Sequence, residues 1–419
     1  MNVSLGENAK MALNTLRENK VRSFLTVLGV VIGITALISV ASILVGFYKD
    51  VTAYLADYGP NTIWIFKVAP GVSTGRLTAE ERNRKPLTEE DGLAIREQCP
   101  AVQKVSITVF KRVYDFNHPP QITARYKDKE VTGLNYSGAD TEYDDVFNIQ
   151  PYIGRYFTEA EDLHREDVAV IGYDLGKTFF LNQDPIDKTI YVEGFPYRVI
   201  GIFAHRKGQL LQNPAAENQV VVPYRTYRKH HPADDEHFIG AVARPGQMAE
   251  AQDEIRGVLR RRRHVPYSAP ENFGLSTAQE IATQFQQITG SVALLTAVVS
   301  SIGLLVGGVG VMNIMLMSVT QRTREIGVRK AIGARRRDVV WQFLTEAVVL
   351  TGAGGVIGVL LGIGVSLLIN VFLPRVPSSV PLWAVLLAVA VSMGVGLFFG
   401  IYPAVKAARL DPVEALRYE

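Results

Sequence analysis

The stretch Arg322-Thr-Arg-Glu-Ile-Gly-Val-Arg-Lys-Ala-Ile-Gly-Ala-Arg-Arg-Arg-Asp338 decides the fold. It gathers seven Lys/Arg residues between two long uncharged runs. Upstream, no charge occurs from Ile281 to Gln321. Downstream, Glu346 is the only charge between Val339 and Pro374. A water-soluble core gives no reason to isolate cations in this way. A bilayer does, because a basic loop is retained on the cytoplasmic side and fixes the topology of the apolar segments beside it.

Working outward from this loop (321–346), four segments reach the length of about 20 apolar residues that a bilayer core requires. They occupy 24–47, 288–320, 347–373 and 381–405. Lys10, Arg17, Lys20 and Arg22 precede the first span. Lys406, Arg409 and Arg417 lie in the tail, 406–419, and the turn between spans three and four carries only Arg375. This distribution predicts both termini and the basic loop in the cytoplasm, with 48–287 outside. The first apolar run is too long for a cleaved signal peptide and reads as a signal anchor. Leu5, Ala9, Ala12, Leu13 and Leu16 recur at helical spacing, so 1–23 is expected to form an amphipathic helix in the membrane interface.

The net charge of +3 disfavours nucleic acid as a partner. A single cysteine, Cys99, excludes an intrachain disulfide, so the outer domain must be held by its own core. That domain reads as mixed α/β. Asn61–Phe66 alternates like a strand, Thr88 opens a helix with a capping box, and Val105–Val113 is a second strand. A similar unit follows at Phe238–Ala243, with a helix over Gly246–Arg263 and a strand near Gly274. Between them lie strands at Glu130–Leu134, Asp167–Ile171, Thr189–Val192, Tyr197–Phe203 and Gln219–Val222. The reading is a split α/β subdomain (60–115 and 236–276) interrupted by a β-rich insert (116–235). Phe47, Val51, Tyr54, Leu55 and Tyr58, like Ala278, Ile281, Phe285 and Ile288, keep helical spacing, which predicts that spans one and two continue outward as a helical stalk.

Other motifs carry less. Ile171-Gly-Tyr-Asp-Leu-Gly-Lys-Thr178 ends like a phosphate-binding loop but has isoleucine where the first glycine is needed. His230, His231 and His237 have no nearby Cys and no His-Glu-x-x-His, and read as a solvated loop. Arg260–Arg263 reads as a solvated helix face. Glu346, near the cytoplasmic end of span three, suits helix pairing rather than proton transfer. Glycines four apart, at Gly29 and Gly33, at Gly354, Gly358 and Gly362, and at Gly396 and Gly400, predict close helix packing in lipid. Gly303, Gly307, Gly308 and Gly310 are read as allowing span two to bend.

Three segments resemble the MacB-type, or FtsX-like, permeases of ABC transporters. They are Arg324-Glu-Ile-Gly-Val-Arg-Lys-Ala-Ile-Gly-Ala334, Lys20-Val-Arg-Ser-Phe-Leu-Thr-Val-Leu-Gly-Val-Val-Ile-Gly33 and Tyr402-Pro-Ala-Val-Lys-Ala-Ala-Arg-Leu-Asp-Pro-Val-Glu-Ala-Leu416. The resemblance implies four transmembrane helices and a large extracytoplasmic mixed α/β domain on a helical stalk, in the inner membrane. It implies a homodimer or heterodimer driven by a separate cytoplasmic ATPase, with ATP and Mg bound there and no cofactor on this chain. A periplasmic adaptor and an outer-membrane channel are further partners that it suggests. The expected activity is mechanical coupling of ATP hydrolysis to the outer domain, for export of a lipophilic or peptide-like substrate. The alternative is an FtsX-like regulator of a periplasmic cell-wall hydrolase. The matching stretch in the family docks on the ATPase, which assigns Arg324, Glu325, Ile326, Gly327, Arg329, Lys330, Ala331 and Gly333 to that contact. In this expectation Gly327 and Gly333 permit close approach, Arg329 and Lys330 pair with acidic groups on the ATPase, and Pro412–Leu416 braces the junction.

Overall fold

The computed structural model describes residues 20–68, 78–111, 121–181, 183–205, 217–373 and 376–417. Most of the amphipathic helix expected over 1–23 lies outside them, as does Arg375. The chain divides into two compact units, one of Asp50–Gln286 and one of Met1–Lys49 with Gln287–Glu419.

In chain order, α1 (Lys20–Asp57) leads into β1 (Thr62–Phe66), α2 (Ala79–Asn83), α3 (Glu89–Gln98) and β2 (Val102–Phe110). Next come β3 (Thr123–Tyr126), β4 (Lys129–Thr132), β5 (Asn135–Ala139), α4 (Tyr143–Val146), β6 (Pro151–Gly154) and α5 (Glu159–Leu163). They are followed by β7 (Val168–Ile171), α6 (Tyr173–Phe180), β8 (Thr189–Val192), β9 (Phe195–Phe203), β10 (Gln219–Pro223) and α7 (Tyr224–His230). The large domain closes with β11 (Glu236–Ala243), α8 (Met248–Arg262) and β12 (Gly274–Thr277). Thereafter the chain is helical: α9 (Ala278–Gln321), α10 (Thr323–Ala331), α11 (Arg336–Phe372), α12 (Leu382–Arg409) and α13 (Pro412–Arg417).

Helices α1, α9, α11 and α12 are each long and apolar enough to cross a membrane. Neither α1 nor α9 is broken by a loop at its large-domain end. Large aliphatic residues such as Leu294, Val306, Leu360 and Leu386 stay on the outside of their helices. The closest approaches between helices are made by glycines, set against buried aliphatic residues such as Ile34, Ile38 and Leu304. This follows from the solvent: lipid tails are as apolar as leucine, so association depends on close backbone approach. A Cβ on Gly29 would sit 2.9 Å from the Cα of Gly307, and one on Gly358 would sit 2.8 Å from the Cβ of Ile34. Gly33 faces Leu304, Gly354 faces Val27, and Gly362 faces Ile38. Gly396 and Gly400 lie against Thr351 and Ala347, joining α12 to α11. Gly307 and Gly308, expected to allow bending, are contact positions: a Cβ on Gly308 would lie 2.2 Å from the ring of Phe399.

Among the described residues, twelve strands form one hydrogen-bonded sheet in the order β12-β1-β11-β2-β5-β10-β7-β9-β8-β3-β4, with β6 on β9. The expected insert is therefore not a separate sheet. It is joined to the split unit by β5, whose Ser137, Gly138 and Ala139 pair with Phe110, Val109 and Thr108 of β2. Gly138 is required there because the side chain of Tyr227 on α7 lies directly over it, 2.3 Å from any added Cβ. One buried core runs through both parts, from Ile63 and Ile239 to Val192 and Tyr197. Tyr58, just after α1, packs within this domain. Tyr58 stands edge-on to Trp64, with ring centres 5.3 Å apart, and its carbonyl accepts from Thr62 Oγ1 at 2.8 Å.

Asp140, immediately after β5, secures the same seam. Its carboxylate accepts from Arg96 Nη2 on α3 (2.7 Å), from Ser106 Oγ (2.8 Å) and from the Ile107 amide (3.2 Å). Burial outweighs these donors and pushes the carboxyl up to about 6. A folded-state value above the ordinary one makes ionisation unfavourable in the fold, so the contribution is complete in acid and lost as pH rises through about 6. Relative to Asp140→Asn, the wild type should therefore lose on the order of 3 kcal/mol between pH 4 and pH 7. Thermal unfolding of both chains across that range checks it, and a constant difference would refute it. In the helical unit, Gly358→Leu should destabilise by about 1–3 kcal/mol through overpacking against α1, read as a lower melting temperature in nanodiscs.

Candidate functional site

The loop between α9 and α11 is built around α10. Ile326 is its inward residue, 2% exposed. It enters a cluster formed by Val311, Met315 and Val319 of α9, Val339 and Phe343 of α11, and Ala404 and Ala407 of α12. The short helix thus shares one buried cluster with three long ones. Thr323 and Gly327 are buried on the same side. The opposite face carries Arg324, Glu325, Val328, Ala331 and Ile332, all exposed. Val328 is 41% and Ile332 79% exposed, an apolar pair one turn apart. Trp341, at the start of α11, is also exposed.

The charges are distributed unevenly. Lys330 donates to the carbonyls of Ala408 (3.0 Å) and Leu410, satisfying groups left open at the end of α12. Arg329 pairs with Glu325 one turn earlier and donates to Gln342 Oε1 at 2.8 Å. Arg322 pairs with the buried Glu346 at 3.2 Å, so Glu346 joins the loop to α11. The expectation that Arg329 and Lys330 reach outward for acidic groups thus meets two residues already engaged within the chain. Among the described residues, Arg324 and Arg336 make no ion pair, and both are exposed.

Gly333 terminates α10. Its φ of +104° is a backbone conformation that favours glycine. The Gly333 amide donates to Lys330 O (3.1 Å) and the Ala334 amide to Arg329 O (3.0 Å), the paired bonds of a Schellman stop. An added Cβ there would meet nothing within 4 Å, so within this chain the glycine is needed for the turn. Asp411 caps α13 by accepting from the Val413 amide at 2.8 Å, and α13 lies against α10, with Ala415 buried. Sequence reasoning missed the outward pair Val328 and Ile332. Their angular position opposite Ile326 was the available signal.

The remaining motifs are structural. Gly176 of the Gly-Lys-Thr segment lies within α6, pressed against Ile202, and Thr178 Oγ1 bonds Asp174 O at 2.8 Å. No phosphate-cradling loop forms there. The histidines are not a solvated loop. His230 bonds Asp167 Oδ1 (2.8 Å), His231 packs on Tyr227 and Phe195, and His237 meets the Tyr224 hydroxyl (2.9 Å). Burial lowers the pKa of His231 and His237. Arg260–Arg263, expected as a solvated face, divide: Arg261 and Arg262 are exposed, whereas Arg260 and Arg263 are half-buried. Arg260 holds the Tyr267 and Ala269 carbonyls, Arg262 pairs with Asp91 (2.8 Å), and Arg263 bonds Pro86 O (3.0 Å) and Asn272 Oδ1 (2.8 Å). Loop carbonyls and a buried carboxylate recruit Arg260, Arg262 and Arg263. Among the described residues no group of His, Cys, Asp and Glu could hold a metal ion.

Comparison with known proteins places this architecture. Residues 23–258 match the MacB-like periplasmic core domain, and residues 297–412 match the FtsX-like permease C-terminal domain. The chain is 34% identical over 421 residues to the uncharacterized ABC transporter permease YvrN of Bacillus subtilis, covering 99% of this chain and 100% of that one. It is 33% identical to the macrolide export ATP-binding/permease protein MacB of Bdellovibrio bacteriovorus, over 99% of this chain and 62% of that protein. A similar match, 33%, is found with the pyoverdine export ATP-binding/permease protein PvdT of Pseudomonas syringae, of which 58% is covered. The chain thus spans about three fifths of the ATP-binding/permease relatives. Among solved structures, the periplasmic region of MacB from Actinobacillus actinomycetemcomitans aligns with a TM-score of 0.44 and 19% identity, covering 55% of this chain and 95% of that one. With both family domains matched and a full-length permease relative, the chain belongs to the MacB-type, FtsX-like ABC transporter permease family.

Proposed function

We propose that this chain is the permease subunit of an ABC exporter whose ATP hydrolysis is performed by a separate cytoplasmic subunit. In this reading 48–287 lies on the far side of the membrane, and the transported compound is lipophilic or peptide-like. The chain acts as a homodimer or with a related permease, and a periplasmic adaptor with an outer-membrane channel completes the path. The observation that carries the reading is Ile326, because a push on α10 is delivered at once to α9, α11 and α12 through a close-packed cluster.

The division of labour on α10 follows from its two faces. Arg324, Glu325, Val328, Ala331 and Ile332 form the surface that meets the ATPase, with the apolar pair as its centre. Ile326, Gly327, Arg329, Lys330 and Gly333 position that surface from within. Lys330 links it to α12 and the start of α13, so the tail supports the docking face without being the primary contact.

Co-reconstitution with the cognate ATPase in nanodiscs tests this. Val328→Asp with Ile332→Asp should lower ATPase co-purification more than tenfold while leaving insertion and melting temperature unchanged, since both residues are exposed. Unchanged co-purification would contradict the docking surface. Lys330→Met should weaken ATPase stimulation severalfold, and Lys330→Arg should restore part of it. Equal loss in both variants would point to a generic folding defect.

A further inference from the structure

A cleft of about 160 Å³ opens in the large domain where α3 meets α5 and α7. Glu89, Leu93 and Arg96 recur at helical spacing on α3 and supply one wall. Glu159, Asp162 and Leu163 supply another from α5. Asp140, Tyr224 and Arg225 complete it, so elements on both sides of the β2–β5 seam contribute. Leu93 is 37% exposed and Leu163 49%, two large apolar side chains left open beside a polar interior.

The charges inside do not cancel. Arg96 is taken by Asp140 at 2.7 Å. Arg225 is taken by Asp162, through its amide at 2.8 Å and its Nε at 3.5 Å. Glu89 receives the Tyr224 hydroxyl at 3.2 Å, and Glu159 has no ion-pair partner among the described residues. Four carboxylates against two guanidiniums leave two negative charges in the cleft. The field is visible at Asp162. Burial raises its pKa, Arg225 opposes the rise, and the charges of Glu89 and Glu159 add to it.

We propose that this cleft binds a protonated amine attached to an apolar body of about ring size, with the ammonium between Glu89 and Glu159 and the apolar part on Leu93 and Leu163. Its volume matches the scale of a cavity that holds one benzene, about 150 Å³. The ligand is therefore a group of that size, either part of a small amphipathic amine or a basic side chain of a peptide. The inference rests on the export reading by giving the outer domain something to recognise. Binding is measured without the ATPase, so failure here leaves the coupling reading standing, and failure of coupling leaves this site standing.

The test is equilibrium dialysis of the full chain in zwitterionic nanodiscs, with empty discs subtracted. Phenethylammonium should bind saturably, at least tenfold tighter than phenethyl alcohol, and 3-phenylpropionate should not bind. Glu89→Gln with Glu159→Gln should weaken the ammonium at least tenfold at unchanged melting temperature. If that pair does not fold, Leu93→Arg, which places a cation at an exposed edge of the cleft, should abolish binding. Acetyl-lysine methylamide binding as tightly as phenethylammonium would support a peptide side chain as the source, and much weaker binding would support an amphipathic amine. No saturable binding above empty discs, equal affinity for the alcohol, or unchanged affinity in the variants would overturn the proposal.

Discussion

Close approach of helix backbones is the constraint on which the membrane unit depends. In lipid an aliphatic side chain gains little by leaving its surroundings for another helix, so packing depends on glycines that let backbones approach and leave room for residues such as Ile34 and Ile38. Gly29 against Gly307 brings α1 to α9, Gly354, Gly358 and Gly362 bring α11 to α1, and Gly396 and Gly400 bring α12 to α11. Each helix is thereby fixed to a neighbour along several turns. Close-packed surfaces have discrete arrangements and transmit displacement without absorbing it.

At the loop end of the bundle, aromatic and methionine side chains join the packing. Phe343, Met315 and Ile326 pack with the alanines of α12 into a core of soluble-protein character. The charged groups above it follow the same economy. Glu346 takes Arg322, and Lys330 closes carbonyls at the end of α12. A helix of only nine residues would not hold its shape alone in water. Here it is fixed by one buried side chain, one lysine and a glycine stop, which leaves its outer face free for a partner.

Much of this was legible in the sequence, for identifiable reasons. Four uncharged runs and a basic loop admit one class of answer, and the strands with regular alternation, such as Thr189–Val192, appear at those residues. The strand that joins the large domain together was not legible. Asn135-Tyr-Ser-Gly-Ala139 has little β-propensity, and its identity is dictated by Tyr227 lying over Gly138 and by pairing with β2, both distant in sequence. The same cause hides the roles of Arg260, Arg262, Arg263, His230, His231 and His237, whose partners lie outside their own elements. In the candidate site the residues were found from motif resemblance, but their facing was not. The resemblance implied that Arg329 and Lys330 pair with acidic groups on a partner, and only tertiary contacts reveal that they also hold the loop together.

The central claim is that α10 presents one face to the ATPase and keeps the other for the membrane helices. It is tested most directly by placing a photo-crosslinking side chain singly at each position from Arg324 to Gly333 and mapping adducts with the ATPase. The account predicts adducts at positions 324, 328 and 332 and none at 326, 327 and 330. Adducts at the inward positions, or a uniform pattern along the helix, would contradict it.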